Sequence, residues 1–288
     1  MRKGKILRMS GMAACLAVLL AASGCKMVIS ENDVFRPQRV TQDRGPLAME
    51  REDTLRREFA ADVSHSLETF GGQPIAVTEI TRGGKDPMLV SCSGNASDRV
   101  NSGANYAAKL LPYGDVILFD LPGYGDSPGR PTVDAISGMA PDFVAWVDAK
   151  AGERPLIFWG HSLGGFVCAE LASQSSAVDA IILETTARNV REVAKAWKPW
   201  WAPLRLRPEE SLEAFDTAEA LSGFPGPVLV IGAGRDSVLP VELHRSLAES
   251  IPAPLTRYIE LPDATHYSAG FDPGTVKAVE EMVAQISR

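Results

Sequence analysis

Short runs of apolar residues, or of alternating apolar and polar residues, are interspersed with helix-length stretches over most of the chain, and this alternation of runs and stretches constrains the fold more than any other feature. Seven such runs occupy positions 75–80, 88–91, 116–120, 156–159, 180–183, 228–231 and 256–261. Helix-length stretches lie between most of them, at 101–111, 133–149, 163–173 and 241–250, and a further one follows at 275–286. Apolar runs of this length are typical of strands that are buried on both faces. The pattern therefore predicts an α/β fold with a mostly parallel central sheet and helices on both faces.

A serine motif directly follows the fourth of these runs. The residues Gly160-His161-Ser162-Leu163-Gly164 match the pattern G-x-S-x-G. A strand, a sharp turn and a helix form the setting of a nucleophile elbow, in which small flanking residues permit a strained turn that exposes the serine oxygen. The sequence therefore predicts Ser162 as a catalytic nucleophile.

A serine nucleophile requires a histidine that accepts its proton, and the chain contains four histidines. His266 follows the last predicted strand, so it should lie at the carboxyl edge of the sheet, where Ser162 also lies. The other three are placed less well, because His161 is inside the elbow and His65 and His244 fall in predicted helices. We therefore predict His266 as the general base.

The histidine in turn needs a carboxylate that orients it. Asp236 lies in a turn after the strand predicted at 228–231, again at a carboxyl end. Serine, acid and histidine then occur in the chain order that accompanies this elbow. Glu184, at the end of the preceding predicted strand, is the alternative acid.

The interval 185–224 interrupts the alternation, since it contains no apolar run of the strand type. It carries Trp197, Trp200 and Trp201 together with several prolines, which break long helices. One interpretation is a small helical excursion whose tryptophans pack on the domain. The other is a lid whose tryptophans line an acyl-binding wall, and this one predicts all three as substrate-binding residues.

Residues 1–24 have the features of an export signal. Four basic residues occur within the first eight positions, and positions 9–22 form a mostly apolar stretch without charge. This stretch is shorter than the roughly 20 apolar residues of a comfortable membrane span. Ala22-Ser23-Gly24-Cys25 resembles the lipobox of bacterial lipoproteins, which implies lipidation of Cys25 and a place in the bacterial cell envelope, at either membrane or at the cell surface. An ordinary secretory signal cleaved nearby is the alternative.

The next segment, 25–70, is interpreted as a tether followed by an amphipathic helix, and the main domain is expected at 71–288. Charges and turn-forming residues without periodicity continue to Pro46. Leu55, Phe59, Val63 and Leu67 then recur every fourth residue, which predicts a helix packed on the domain.

Charge and cysteine content exclude several functions. The chain has a net charge of −7, and removal of residues 1–24, which contain four basic and no acidic residues, makes it −11. Nucleic acid is therefore excluded as a partner, because its phosphates require a basic surface. Cys92 and Cys168 are expected to be buried free thiols, with a disulfide between them as the alternative. The cysteine and histidine spacing predicts no metal site, and the glycine-rich loop 120–127 lacks the lysine and the spacing of a nucleotide site.

Five motifs in order give the chain from about Ile75 to its end a family resemblance. They are Ser93-Gly94-Asn95-Ala96, the loop Asp120–Ser127, the Ser162 elbow, the Asp236 turn and the His266 segment. In this order they resemble α/β-hydrolases of the serine-aminopeptidase-like and BEM46-like group, which includes the ABHD-type lipid and thioester hydrolases. The resemblance implies an eight-stranded sheet with a cap inserted after the sixth strand, at about 185–224.

The resemblance also implies a reaction. We expect a serine hydrolase that cleaves carboxylic esters or thioesters through an acyl-enzyme and needs no cofactor. Its oxyanion hole should consist of the backbone N–H groups of Asn95 and Leu163. Relatives commonly carry His-Gly-Asn where this chain has Ser93-Gly94-Asn95, but the required donors are on the backbone. Aminopeptidase-like amide hydrolysis is one alternative, and a lipid-tethered protein that binds a ligand without turnover is the other.

Overall fold

The computed structural model describes residues 26–37, 46–84, 87–252 and 255–287. The predicted export signal and the predicted lipidation site, Cys25, lie outside the described residues. In the described part of the chain, no helix is long and apolar enough to cross a membrane.

Ten strands are present in the described residues. They are β1 (Lys26–Ile29), β2 (Asp62–Phe70), β3 (Gln73–Thr81), β4 (Met88–Cys92), β5 (Asp115–Phe119), β6 (Leu156–His161), β7 (Ala180–Glu184), β8 (Arg205–Pro208), β9 (Val228–Ala233) and β10 (Thr256–Leu261). Eight of them form one sheet in the order β10-β9-β7-β6-β4-β5-β3-β2. Its neighbours pair parallel except β2 with β3 and β3 with β5. The predicted mostly parallel sheet is confirmed, and the segment 185–224 follows its sixth strand.

Helices cover both faces of this sheet. They are α1 (Glu31–Val34), α2 (Pro46–Phe59), α3 (Gly103–Leu110), α4 (Val133–Ala151), α5 (Leu163–Ser173), α6 (Val190–Trp197), α7 (Glu210–Ala214), α8 (Thr217–Ala220), α9 (Val241–Ser250) and α10 (Pro273–Ile286). In β6, Leu156 and Phe158 join the core under α4 and α5, whereas Ile157 and Trp159 join the core under α3 and α10. Because successive strand residues point to opposite faces, a strand buried on both sides consists of apolar residues throughout.

The helix predicted from the four-residue spacing ends sooner than expected. Its last residue is Phe59, and Val63 and Leu67 belong to β2, which pairs with β3 through a turn at Gly71 and Gly72. Both glycines have positive φ, as tight hairpin turns require. A spacing of four fits a helix of period 3.6 and is also a multiple of the strand period of 2, so the spacing alone could not separate the two. The sheet therefore begins before position 71.

The segment expected to be a tether begins with a strand. β1 pairs in parallel with β8, with Lys26 opposite Arg205 and Ile29 opposite Pro208. The expectation that 185–224 contains no strand is therefore also wrong. Four-residue strands that pair only with each other give no periodicity that a sequence pattern could reveal.

Cys92 and Cys168 form a disulfide, so the preferred interpretation as free thiols is wrong. The bond joins the end of β4 to α5, and the two Cα atoms are 5.8 Å apart. β4 lies beside β6, and α5 follows β6 directly, so the topology brings the two cysteines together. The oxyanion loop predicted after Cys92 is thereby fixed to the helix that carries the predicted nucleophile.

Candidate active site

Ser162 lies at a sharp turn between β6 and α5. Its backbone has a φ of 54°, a conformation that non-glycine residues rarely adopt, and its N–H donates a 3.0 Å hydrogen bond to the Glu184 carbonyl. The flanking glycines are needed for space: a Cβ on Gly160 would lie 2.5 Å from the Gly164 carbonyl oxygen, and one on Gly164 would lie 1.9 Å from that of Cys92. The turn therefore has the strained geometry of a nucleophile elbow.

Asp236 and His266 are brought together as the sequence predicts. His266 Nδ1 lies 2.7 Å from Asp236 Oδ2. Asp236 Oδ1 accepts hydrogen bonds from the N–H groups of Val238 at 2.7 Å and Leu239 at 2.8 Å. Burial alone would raise the pKa of Asp236, but the hydrogen bonds and the His266 charge outweigh burial and lower that pKa below its usual value. The ionised carboxylate thus holds the proton of His266 on Nδ1 and leaves Nε2 free to accept another.

Two threonines after β7 connect the serine and histidine segments. Thr186 Oγ1 donates to the Ser162 carbonyl at 2.7 Å. Thr185 Oγ1 donates to the His266 carbonyl at 3.3 Å. Ser162 and His266 therefore share the carboxyl edge of the sheet, where sites of this kind of fold collect.

Glu184, the alternative acid, pairs with Lys109. It accepts hydrogen bonds from Lys109 Nζ at 2.5 Å and from Trp159 Nε1 at 2.7 Å. Burial opposes its ionisation, yet the Lys109 charge and these hydrogen bonds lower its pKa overall. Glu184 is thus the buried partner of a lysine, and Asp236 is the carboxylate that contacts His266.

His161 supports the site from behind the elbow. Burial lowers its pKa to about 4, so the ring is neutral at pH 7. Its Nε2 donates to the His266 carbonyl at 2.9 Å, and its Nδ1 accepts from the Tyr106 hydroxyl at 3.0 Å. With both ring nitrogens engaged, His161 positions the His266 backbone.

The predicted oxyanion loop lies against the elbow. A Cβ on Gly94 would be 3.4 Å from Ser162 Cβ, so the backbone before Asn95 passes close to the nucleophile. Leu163 is the first residue of α5, and the N–H groups of a first helical turn have no partner within the helix. The two amides proposed for the oxyanion hole are therefore both near Ser162.

The Asn95 side chain is held by four neighbours, one of which is the N–H group of Ala96, which donates to Oδ1 at 3.1 Å. Its Oδ1 accepts from the Arg36 N–H and from the Tyr124 hydroxyl, each at 2.8 Å, and its Nδ2 donates to the Val34 carbonyl at 2.6 Å. Tyr124 belongs to the glycine-rich loop 120–127. The N-terminal segment and this loop together fix the backbone that carries the proposed oxyanion donor.

Ser162 and Leu163 lie at one end of a cavity of about 580 Å³. Helix α6 contributes Val190, Val193, Ala194 and Trp197, whose spacing of three and four places them on one face. The other wall-forming residues come chiefly from the two-stranded sheet of β1 and β8, from α1, from the loop before β8 and from the loop after β9: Met27, Ile29, Val34, Leu204, Leu206, Val238 and Leu239. Of the α6 and other wall residues, only Trp197 was predicted from the sequence, although the α6 spacing was a usable signal.

The predicted tryptophan wall is only partly correct. Trp197 lines the cavity, and its Nε1 donates to the Val238 carbonyl at 2.7 Å. Trp200 and Trp201 are largely exposed and are not among the cavity-lining residues, so they neither form the acyl wall nor pack on the domain. The reason is that α6 ends at Trp197, and beyond Pro199 the rings no longer follow the apolar helix face.

A fourth polar group approaches Asp236 that sequence reasoning missed. His244 in α9 is fully buried, and its Nδ1 accepts a 3.3 Å hydrogen bond from the Ala233 N–H. The remaining hydrogen must then be on Nε2, which lies 3.5 Å from Asp236 Oδ2. Burial lowers the pKa of His244 to about 4, so the ring that faces the carboxylate is neutral at pH 7.

Sequence comparisons find a matching family profile and several relatives. The profile of the alpha/beta hydrolase fold family matches residues 87–224. An uncharacterized protein of Mycobacterium tuberculosis is 32% identical over 189 residues, which cover 65% of this chain and 65% of that protein. Lysophosphatidylserine lipase ABHD12 of Danio rerio is 31% identical over 181 residues, which cover 56% of this chain and 46% of the lipase. The chain thus spans slightly under two thirds of the mycobacterial protein and less than half of the lipase.

Solved structures show the same fold at lower identity. Esterase Pf2001 from Pyrococcus furiosus matches with a TM-score of 0.64 and 18% identity over 91% of this chain and 98% of that chain. The acetyl xylan esterase from Paenibacillus sp. R4 matches with a TM-score of 0.61 and 13% identity over 88% of this chain and 97% of that chain. Together with the family profile and the ABHD12 relatives, these matches show that the chain has the α/β-hydrolase fold and is similar to ABHD-type hydrolases.

Proposed function

We propose that the protein is a serine hydrolase that cleaves carboxylic ester or thioester bonds through an acyl-enzyme. The observation that carries the proposal is the contact of 2.7 Å between His266 and Asp236, at the same sheet edge as the strained Ser162 turn. A histidine held in this way is the general base that a serine nucleophile needs.

In the first half of the proposed reaction, Ser162 Oγ attacks the carbonyl carbon and its proton passes to His266 Nε2. Asp236 stabilises the resulting imidazolium, and the amides of Asn95 and Leu163 bind the oxyanion. Collapse of this intermediate transfers the proton to the departing alcohol or thiol and leaves the acyl group on Ser162. A water molecule that gives its proton to His266 then attacks the acyl carbon, which releases the acid and restores the serine.

The cavity supports an acyl substrate. Its volume of about 580 Å³ is within the usual range for small-molecule sites, and its walls are mostly aliphatic. The similarity to a lysophosphatidylserine lipase also supports a lipid ester. Amide hydrolysis at an amino terminus is less favoured, because Asp33 is the only carboxylate among the cavity-lining residues and it is exposed.

The nucleophile is tested by Ser162→Ala. We expect ester hydrolysis to fall by several orders of magnitude, since the loss of a triad serine costs about a millionfold in a comparable enzyme. A fluorophosphonate probe should label the unmodified protein and not the variant. Ser222→Ala, at an exposed cap serine, is the matched control and should retain labelling and activity. Undiminished hydrolysis by Ser162→Ala, or no labelling of the unmodified protein, would reject the assignment in favour of another nucleophile or a binding role.

We further propose that Cys25 is lipidated and anchors the protein in the bacterial cell envelope. The lipobox-like sequence supports this location, and so does the Cys92–Cys168 disulfide, because such bonds persist in oxidising compartments. Radiolabelled palmitate should be incorporated by the unmodified chain and by Cys15→Ser, but not by Cys25→Ser. Equal incorporation by Cys25→Ser would contradict lipidation at this position.

A further inference from the structure

Exposed apolar side chains gather beside the cavity. Met27, Val28, Trp197, Trp200 and Trp201, here called the rim surface, are 51, 60, 62, 93 and 70% exposed. They make up half of the ten large apolar side chains that are exposed in the described part of the chain. Met27 and Trp197 line the cavity themselves, and the other two tryptophans lie between Pro199 and Leu204, which also line it. Met27 and Trp197 therefore connect the rim surface to the cavity wall, whereas Val28 lies on the opposite face of β1.

The segments that carry the rim surface are basic, although the exposed carboxylate of Asp33 also lines the cavity. Residues 26–29 and 194–207 contain five basic residues and no acidic residue, although acidic residues outnumber basic ones by 36 to 29 in the whole chain. Lys26 and Arg205 occupy directly paired positions of β1 and β8. Like charges at paired positions repel each other, so an anionic partner would relieve a cost that the isolated protein bears. Arg207 is partly compensated by Glu213 at 3.5 Å.

The two-stranded sheet of β1 and β8 has different side chains on its two faces. Met27, Ile29 and Leu206 line the cavity, whereas Arg205 and Arg207 alternate with Leu206 and are exposed. Side chains of alternate strand residues point to opposite faces. The sheet thus presents an aliphatic face to the cavity and a basic face to the surroundings.

Tryptophan, exposed aliphatic groups and basic residues form a combination that suits one partner in particular. Indole rings are amphipathic and concentrate at the boundary between lipid chains and headgroups. Lysine and arginine near a membrane surface attract anionic headgroups. The residues just before Lys26 include the uncharged stretch 9–22 and the lipobox-like Cys25, which also places a membrane close to this end of the described chain.

We propose that the rim surface rests on an anionic lipid bilayer, with the indoles of Trp200 and Trp201 in the interfacial region. The cavity then opens toward the membrane, so an acyl ester can pass from the bilayer to Ser162 without crossing water. This second consequence rests on the proposed hydrolase function, whereas the membrane contact does not.

The five tryptophans of the chain provide a direct test, because residues 1–25 contain none. Besides the three in the cap, Trp159 is buried and Trp146 packs against Phe70. The full-length protein is reconstituted in vesicles of phosphatidylcholine and phosphatidylglycerol with brominated acyl chains, which quench nearby indoles. We expect strong quenching of tryptophan fluorescence in the unmodified protein. In Trp200→Ser/Trp201→Ser, the quenching should be weaker by roughly twofold or more. Trp146→Phe, the matched control, should retain the quenching.

Further variants separate the contribution of the basic residues from that of the tryptophans and from catalysis. Quenching should weaken without phosphatidylglycerol and in Lys195→Glu/Arg205→Glu, but not in Lys150→Glu, which reverses a charge on α4. Ser162→Ala should be quenched like the unmodified protein, so failure of the hydrolase proposal would leave this result unchanged. Absence of quenching, equal quenching in the double tryptophan variant, or concentration-dependent protection of the tryptophans from acrylamide without lipid would overturn the proposal. The last outcome would identify a second copy of the chain as the occupant.

Discussion

At the scale of single residues, polar hydrogens approach both oxygens of the Asp236 carboxylate. The turn that follows β9 brings the N–H groups of Val238 and Leu239 to Oδ1, and His266 and His244 face Oδ2. The turn and His266 follow strands at their carboxyl ends, so their convergence could be predicted from chain order. His244 could not, because its direction depends on how α9 packs on β9.

We predict that His244 is a positioning residue for Asp236. His244→Phe removes the Nε2 hydrogen that lies 3.5 Å from Asp236 without forming a hydrogen bond, so kcat should fall by less than the roughly tenfold equivalent of one hydrogen bond to a charged group, while KM changes little. His244→Gln, which retains an N–H donor, should recover part of the lost kcat. Steady-state kinetics on a soluble ester measure both constants. Equal losses in the two variants would show that only packing matters at this position.

His244 also affects how the free energy of unfolding depends on pH. His161 and His244 have folded pKa values of about 4, below the ordinary value of 6.5, so the unfolded chain binds more protons between these pH values. The free energy of unfolding should therefore fall as the pH drops from 6.5 to 4. Burial raises the pKa of Asp120 to about 6, which acts in the opposite direction, but one carboxyl opposes two imidazoles. Urea unfolding at several pH values should show a shallower dependence for His244→Phe, and an unchanged slope would contradict this account.

At the scale of elements, the seven runs found in the sequence are all strands. Six of them are mostly buried, and an apolar run buried on both faces has few alternatives, whereas the seventh lies in the edge strand β10 and is only partly buried. The three missed strands are largely exposed or half-buried. β2 is an edge strand in which Leu67 is exposed, and β1 and β8 pair only with each other. Their positions depend on partners far away in the chain, which no local pattern contains.

Helix α6 allows a prediction about acyl length. Ala194 is buried and lines the cavity, whereas Ala196 on the same helix is exposed. Ala194→Phe should fill part of the cavity and lower kcat/KM for long-chain esters about tenfold more than for acetate, since overpacking costs about 1–3 kcal/mol. Ala196→Phe is the matched control and should leave the ratio unchanged. A series of p-nitrophenyl esters measures the effect, and an unaltered ratio in Ala194→Phe would place the acyl chain elsewhere.

At the scale of the whole molecule, some parts of the candidate site could be predicted from the sequence and others could not. Ser162, Asp236 and His266 could be predicted because each follows a strand of one parallel sheet, and the fold fixes their order. The cavity wall could not, because it joins residues 26–36 to the cap through tertiary pairing. The disulfide likewise depends on tertiary pairing, because Cys92 and Cys168 are neighbours only after β4 and β6 have paired.

The pairing of β1 with β8 also bears on the order of assembly. Lys26 and Arg205 are separated by 179 positions, so closing this loop costs more chain entropy than the local hairpin of β2 and β3. During synthesis from the N-terminus, β1 emerges first, yet this strand has no partner until the cap has followed. The cavity is therefore completed late, and a chain that has emerged only as far as Trp197 contains Ser162 but lacks Leu204 and Leu206 of the cavity wall.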